Sequence, residues 1–385
     1  MISSIEIKNL LSFSSQTPAF KLNRLNILIG ANGSGKSNFL EVFAFLRALT
    51  IPQRASGSLD DVISRGGGIQ EWTHKSGDSN KSGDPNIVEL KVRFFEEMKY
   101  LFRFTQENRD LRILAEEISS NAIDTLIYDF NYKHPILLDH NFNKISINSL
   151  DFNSSVLGQI KYPNTTWYLS KITTSFEKIK LYRNWSFGHY SILRQPQRAD
   201  MRNSVLEEDF SNFCLFLSRL FRTPSTKQKI IEAFKEVYDG ITDINIDIGN
   251  ANAALFISEG DKSIPAIRLS DGTLRYLVLV TLLLDPDPPP LICLEEPELG
   301  MHPDLIRNIA KLLKDAATRT QLIVTTHSEL LVNAFSSDPE SIVVCEKENG
   351  VTTLKRLETN RLDEWLEQYG LGDLWLRGEI GGVRW

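Results

Sequence analysis

Apolar residues recur along this chain at two different periods, and the switches between them mark out its elements. SIEIKNL (Ser4 to Leu10) alternates apolar and polar side chains, which predicts a half-buried strand. A continuous apolar run follows with Leu25 to Ile29 at its centre, and it ends at a glycine-rich loop. Ser37 to Leu46 then carries large apolar residues on more than one helical face, the pattern of a helix buried under a sheet. His74 to Asn86 repeats Lys-Ser-Gly-Asp with no apolar residue and predicts an exposed loop. IVELKVRFF and YLFRFTQ alternate again and predict antiparallel hairpins.

From about Asp110 to Tyr238 the pattern is mixed, with aromatic-rich pieces and then two amphipathic stretches, FSNFCLFLSRLF and TKQKIIEAFKEVYDG, that predict helices. The expectation is an inserted lobe over 111–238. It would divide an N-terminal part, 1–110, from a C-terminal part, 239–385. In the latter, DINIDIG, AALFIS and PAIRLS predict short strands, and DGTLRYLVLVTLLL predicts a buried helix that DPDPPP stops. LICLEE is an apolar strand ending in two acids, Pro303 to Thr318 is helical, and TQLIVTTHS is another buried strand. A closing hairpin turns at Asn349-Gly350. Strand and helix alternate in this half, so the fold class is α/β with a mostly parallel sheet under helices.

Composition narrows the setting. The chain has 385 residues, 42% of them hydrophobic and 24% charged, which are globular values, and no apolar run is long enough to cross a bilayer. The first ten residues lack a basic region and a cleavage site, so the start reads as that of an unexported protein. Cys214, Cys293 and Cys345 have no metal-type spacing and suit a reducing cytoplasm. A net charge of −6 argues against coating nucleic acid by overall electrostatics.

The candidate chemistry starts at Gly30. Gly30-Ala-Asn32-Gly33-Ser34-Gly35-Lys36-Ser37 fits the phosphate-loop pattern with a strand before it and a helix after. Glycines let successive N–H groups close on an anion, the helix start adds partial positive charge, Lys36 reaches the β- and γ-phosphates, and Ser37 can ligate Mg²⁺. Glu295 and Glu296 end a buried strand on the edge where ligands of open sheets bind. Glu295 is expected at the Mg²⁺ hydration shell and Glu296 as the base that orients the attacking water. His327, at the end of the next strand, is placed to contact the γ-phosphate or that water. Ser270 and Gly272, opening the long helix, form either a second anion site or an ordinary helix cap. As a second anion site they would close over the nucleotide of another copy.

These stretches together resemble ABC-type ATPases. GANGSGKSN, LSDGT, LICLEEPELGMHP and IVTTHS are similar to the Walker A, signature, Walker B with D-loop, and H-loop motifs of that class. The opening IEIKNLLSF places the resemblance in the RecF/SMC-like branch, among stand-alone bacterial AAA-type ATPases related to the ATPase half of OLD-family nucleases. It covers about the first 50 and last 120 residues; the middle is matched mainly by LRQPQRAD. It implies ATP at Asn32 through Asn38, Mg²⁺ at Ser37, hydrolysis by Glu296, γ-phosphate sensing by His327, and Ser270 and Gly272 acting in trans in a homodimer. Gln70 is the candidate for the glutamine expected after the first helix, against a plain loop residue. Two departures stand out: Glu295 replaces the usual aspartate, and the signature reads Ser-Asp-Gly-Thr instead of Ser-Gly-Gly-Gln.

The resemblance further implies work in DNA repair or phage defence, with a separately encoded effector such as a nuclease and no nuclease site in this polypeptide. Lys178, Lys180, Arg183, Trp185, Arg194, Arg198 and Arg202 are the candidates for nucleic-acid contact, against a merely solvated face. Two alternatives remain at this stage: an ATP-binding scaffold with little hydrolysis, and, with less to favour it, a transporter-type ATPase subunit.

Overall fold

A computed structural model describes residues 1–75, 87–95, 98–107, 110–120, 125–130, 136–138, 143–145, 151, 153–160, 167–185 and 187–382. The expected loop from His74 to Asn86 lies for the most part outside these residues.

The phosphate-loop strand, Leu25–Ile29, sits inside a six-stranded sheet ordered Lys180–Tyr182, Leu291–Glu295, Gln321–Thr325, Leu25–Ile29, Ile342–Glu348, Val351–Arg356. All neighbours are parallel except the last pair, the closing hairpin. Its turn falls at Asn349 and Gly350, both with positive φ, as a tight hairpin requires. Side chains of these strands alternate between two cores. Ile27, Ile29, Ile292, Leu294 and Val324 face one, whereas Leu28, Leu291, Cys293 and Ile323 face the other. That alternation explains the mostly apolar runs: both faces are covered, and the buried polar exceptions Asn26 and Gln321 are hydrogen-bonded, to the carbonyls of Leu322 and Ile2.

The second core lies between this sheet and an eight-stranded antiparallel sheet that begins with Phe20–Lys21, Ile2–Lys8, Val88–Phe94, Met98–Glu107 and Asp110–Ser120. The phosphate-loop helix, Lys36–Ala48, fills that space. Phe39, Leu40, Val42, Phe43, Phe45 and Leu46 are all fully buried there, which is why apolar residues surround more than one face of the helix. Phe45 stacks on Phe104, with ring centroids 5.4 Å apart. Each such phenylalanine contributes roughly 2 kcal/mol by burial, so the helix start is held firmly against the parallel sheet.

The first core covers the opposite face with the helices Phe213–Phe221, Pro224–Lys235, Asp271–Leu283 and Ile306–Ala316. A third small sheet of Gln197–Arg198, Asn252–Glu259, Asp243–Gly249 and Lys262–Pro265 adjoins it. One expectation is corrected here. PAIRLS is not a strand: Pro265 ends one, and Ala266–Arg268 turns as a 3₁₀-helix while Arg194 gathers the carbonyls of Ala266, Ile267 and Leu269. Parts of the 111–238 segment, expected as an inserted lobe, pack with the rest of the chain. Lys180–Tyr182 is the edge strand of the parallel sheet, and Leu169, Ile172 and Phe176 pack in the same core as the phosphate-loop helix. Mixed patterning hid this, since a three-residue strand carries too few alternations to register.

Candidate nucleotide site

At the C-terminal edge of the parallel sheet the chain turns from Ile29 into a loop whose glycines are required by contact. Gly30 has φ 149°, and a Cβ there would lie 2.3 Å from the Cys345 carbonyl oxygen. Gly35, which precedes the helix at φ 105°, would put a Cβ 2.1 Å from Thr352 Oγ1. The loop curls over its own lysine: Lys36 Nζ donates to the carbonyls of Gly30 at 2.7 Å and Ala31 at 3.0 Å. Asn32 and Gly33 are exposed at the loop's crest, and Ser34, Gly35 and Lys36 are buried beneath it.

A polar bracket supports the loop from outside, and sequence reading missed it. Thr352 Oγ1 donates to the Ser34 carbonyl at 2.9 Å and lies 2.7 Å from Ser12 Oγ. Asn38 Nδ2 donates to the same Ser12 hydroxyl at 2.8 Å. No sequence signal marks it: Thr352 is one of two adjacent threonines in the closing hairpin, and its burial emerges only in the fold.

The tandem acids reach this loop. Ser37 Oγ donates to Glu295 Oε1 at 2.5 Å. Burial pushes the Lys36 ammonium below its usual range, while Cys345, Glu296 and Glu295 pull it the other way, so both acids lie within its field. Glu296 adopts φ 46°, a left-handed conformation that costs an ordinary residue about 1–2 kcal/mol. Its amide donates to the Thr325 carbonyl at 3.0 Å. The turn carries the Glu296 carboxylate toward His327, whose Nε2 lies 3.5 Å from Glu296 Oε1. Burial and then the nearby Lys36 charge lower the His327 pKa, so the imidazole is neutral at pH 7. Backbone strain at a pair of facing titratable groups is a mark of functional sites.

Glu298 is another residue the sequence did not single out. It is buried, its Oε1 accepts from Thr326 Oγ1, and its Oε2 has no partner. Thr326 Oγ1 in turn accepts from the Ser328 amide at 2.9 Å. Glu298 therefore ties the segment after the acids to the segment that carries His327.

Ser270 and Gly272 lie at the start of the helix Asp271–Leu283. Ser270 caps its helix, accepting from the Thr273 amide at 3.1 Å, and is exposed. A Cβ on Gly272 would lie 3.3 Å from the Gly300 carbonyl, so the helix start abuts the turn after Glu298. Arg275 joins the two by donating to the carbonyls of Leu299 and, at 2.8 Å, Trp185. Gln70 is exposed on the turn Ile69–Trp72, and its carbonyl accepts from Thr73 Oγ1 at 3.3 Å; the structure does not join it to Ser37 or Glu295.

Part of the stretch considered for nucleic-acid contact is taken up by pairs within the chain, which the sequence did not show. Lys180 pairs with Glu207, Arg183 with Glu41 and Arg194 with Asp271, whereas Lys178 and Arg202 are exposed and Arg198 pairs with Asp200 at the surface. Trp185 packs against Phe187 and Phe210 and donates to the Glu295 carbonyl at 2.7 Å. The reason is physical: charge is legible in a sequence, but its counter-ion thirty or a hundred residues away is not.

The family described as "AAA domain, putative AbiEii toxin, Type IV TA system" matches residues 25–333. The chain belongs to that family. It is an AAA-type ATPase, and its fold is that of SMC heads. The crystal structure of the SmcHead bound to the C-winged helix domain of ScpA has a TM-score of 0.57 at 14% identity, covering 94% of this chain and 99% of that one. The Smc head domain with an extended coiled coil, bound to the C-terminal domain of ScpA from Pyrococcus furiosus, has a TM-score of 0.55 at 13% identity, covering 95% and 98%. Among curated proteins the chain is similar to the "Retron Ec83 probable ATPase" of Escherichia coli, 21% identical over 87% of this chain and 70% of that protein. Among the described residues no helix is long and apolar enough to cross a membrane.

Ser37 and Glu295 are hard oxygen donors of the kind that bind Mg²⁺, which takes one or two protein ligands and completes its shell with water and phosphate oxygens. Among the described residues no group of three or more His, Cys, Asp and Glu side chains makes an all-protein cage, and Mg²⁺ bound through a triphosphate needs none.

Proposed function

We propose that the chain binds Mg²⁺-ATP over Asn32 to Asn38 and hydrolyses it, and that it works as a nucleotide-dependent pair of chains that switches a separate effector. The observation that carries the reading is the meeting of Ser37 with Glu295 at 2.5 Å directly beside the buried Lys36. Lys36 exchanges its two carbonyl acceptors for phosphate oxygens. Ser37 and Glu295 would hold Mg²⁺, which would supply charge neutralisation to the triphosphate. Glu296 then orients the attacking water and accepts its proton, while neutral His327 donates its one N–H toward the γ-phosphate.

The pairing is supported by what is left exposed near the helix cap. Ser270 is exposed, as are Ile267 at 46% and Leu299 at 60%, so an anion-binding helix start and apolar side chains lie uncovered together. In the pair, Ser270 and Gly272 of one copy close over the nucleotide of the other. Similarity to a retron ATPase and membership of a family described by a toxin–antitoxin system support a role in antiviral defence, with an effector such as a nuclease supplied by another chain.

The test is phosphate release by the wild type, Lys36→Ala and Glu296→Gln. The reading expects hydrolysis by the wild type only, with Glu296→Gln still binding ATP. Equal, negligible release by the wild type and Glu296→Gln would leave the scaffold as the better account.

A further inference from the structure

Arg183 follows the edge strand Lys180–Tyr182, and the register pairs Tyr182 with Leu294, which sets Arg183 level with Glu295 at the strand ends. Its Nη1 is bound by Glu41 Oε1, one helical turn beyond Ser37 on the phosphate-loop helix. Its Nε lies 4.0 Å from Glu295 Oε2. Nε and Nη2 are both buried and have no hydrogen-bond partner. A guanidinium with two unsatisfied N–H groups in a protein interior needs an explanation, because each forfeits its hydration.

We propose that Arg183 is a positioning residue for Glu295. This rests on the Mg²⁺-ATP reading above and extends it to a residue that touches neither nucleotide nor metal. Glu295 carries one methylene more than the aspartate usual at this place, so its carboxylate swings through a wider arc and needs a second point of restraint. Ser37 holds Oε1, and Arg183 Nε faces Oε2. Were Oε1 to leave the Ser37 hydroxyl for Mg²⁺, Oε2 would be left to accept from Nε across the remaining gap, and the orphaned donor would then be satisfied. Glu41 anchors the other side of the guanidinium, so the clamp ties the helix that bears Ser37 to the strand that bears Glu295. The Trp185 bond to the Glu295 carbonyl fixes the backbone of the same strand end. Groups that orient metal ligands in this way typically change metal affinity 10- to 100-fold when removed.

The experiment is equilibrium binding of ATP in excess Mg²⁺ and in EDTA to the wild type, Arg183→Met, Arg183→Lys, Glu295→Asp, the Arg183→Met/Glu295→Asp double variant and Lys36→Ala, with melting curves of each. Arg183→Met is expected to cut the Mg²⁺-dependent gain in affinity about tenfold with affinity in EDTA changed less than twofold. Arg183→Lys, which keeps the charge but cannot bridge Glu41 and Glu295, is expected to fall between, and it serves as the test if Arg183→Met melts early. In the Glu295→Asp background the shorter acid no longer reaches Arg183, so Arg183→Met should add little. An unchanged Mg²⁺-dependent gain in Arg183→Met and Arg183→Lys would overturn the proposal. So would equal losses with and without Mg²⁺, which would make Arg183 a phosphate contact or a plain structural strut. If the wild type shows no Mg²⁺-dependent gain, or Lys36→Ala binds as well as the wild type, it is the Mg²⁺-ATP reading that fails.

Discussion

Glu116 is the most consequential buried charge away from the site, and the Glu116→Gln variant should expose it. The residue is 1% exposed within the antiparallel sheet that covers the phosphate-loop helix. Its carboxylate accepts from Tyr100 Oη at 2.7 Å, Ser155 Oγ at 2.6 Å and the Val156 amide at 2.8 Å. Burial nevertheless outweighs these bonds and pushes its pKa up to about 7 from 4.5. The folded pKa is raised, so the native state holds the proton more tightly than the unfolded chain. The resulting stability is complete below the unfolded value and is lost as pH rises through 7. At about 1.4 kcal/mol per unit, the full effect is about 3 kcal/mol, of which about 2.5 disappears between pH 5 and pH 8. For a chain of this length that is a melting shift of about 3 °C. Glutamine cannot titrate; its amide oxygen can accept from the Val156 N–H while its NH₂ faces the Tyr100 and Ser155 hydroxyls, which can turn to accept, so the variant should keep the network and lack the slope. Melting of the wild type and Glu116→Gln across pH 5 to 8 cancels all other titrations in the difference. A difference that stays flat would refute the burial argument for this residue.

Thr352→Val removes the hydroxyl that holds the Ser34 carbonyl; leaving that acceptor unsatisfied costs about 1–3 kcal/mol, and a loss of about tenfold in ATP affinity is expected by titration calorimetry. Gly35→Ala should abolish binding in the same assay, because the Cβ would overlap Thr352 at a φ that only glycine adopts readily. Arg275→Met cuts the link between the helix Asp271–Leu283 and the turn at Leu299, so hydrolysis is expected to fall at least tenfold while ATP affinity holds; loss of both together would contradict this. Burial and Lys36 keep His327 neutral, and an NMR titration of its imidazole should give a midpoint below the ordinary histidine value, a midpoint above it being the contrary result.

The parts of the site legible in the sequence are those where chemistry is local. The strand, glycine loop and helix from Leu25 to Ala48 follow from spacing alone, and so does the delivery of Glu295 and Glu296 by an apolar strand. What sequence could not show is pairing at long range. Ser12 and Thr352 meet across 340 residues, and neither has a periodic or compositional signal. Arg183 and Arg194 were visible as positive charge, but only the fold shows them facing Glu41 and Asp271. Glu298 read as one more acid in EEPE, although its burial against Thr326 gives it a different task from Glu295 and Glu296. The 111–238 stretch resisted reading because its strands contribute to three sheets, and the shortest are too brief for alternation to be seen.

The account's central claim is that Lys36, Ser37 and the acid ending the neighbouring strand grip one magnesium-bound triphosphate. Titration of ATP into the wild type and Glu295→Gln, each in Mg²⁺ and in EDTA, tests it most directly. The prediction is that Mg²⁺ tightens binding to the wild type and that Glu295→Gln loses most of that gain while its affinity in EDTA holds. A Glu295→Gln protein that responds to Mg²⁺ as fully as the wild type would contradict it.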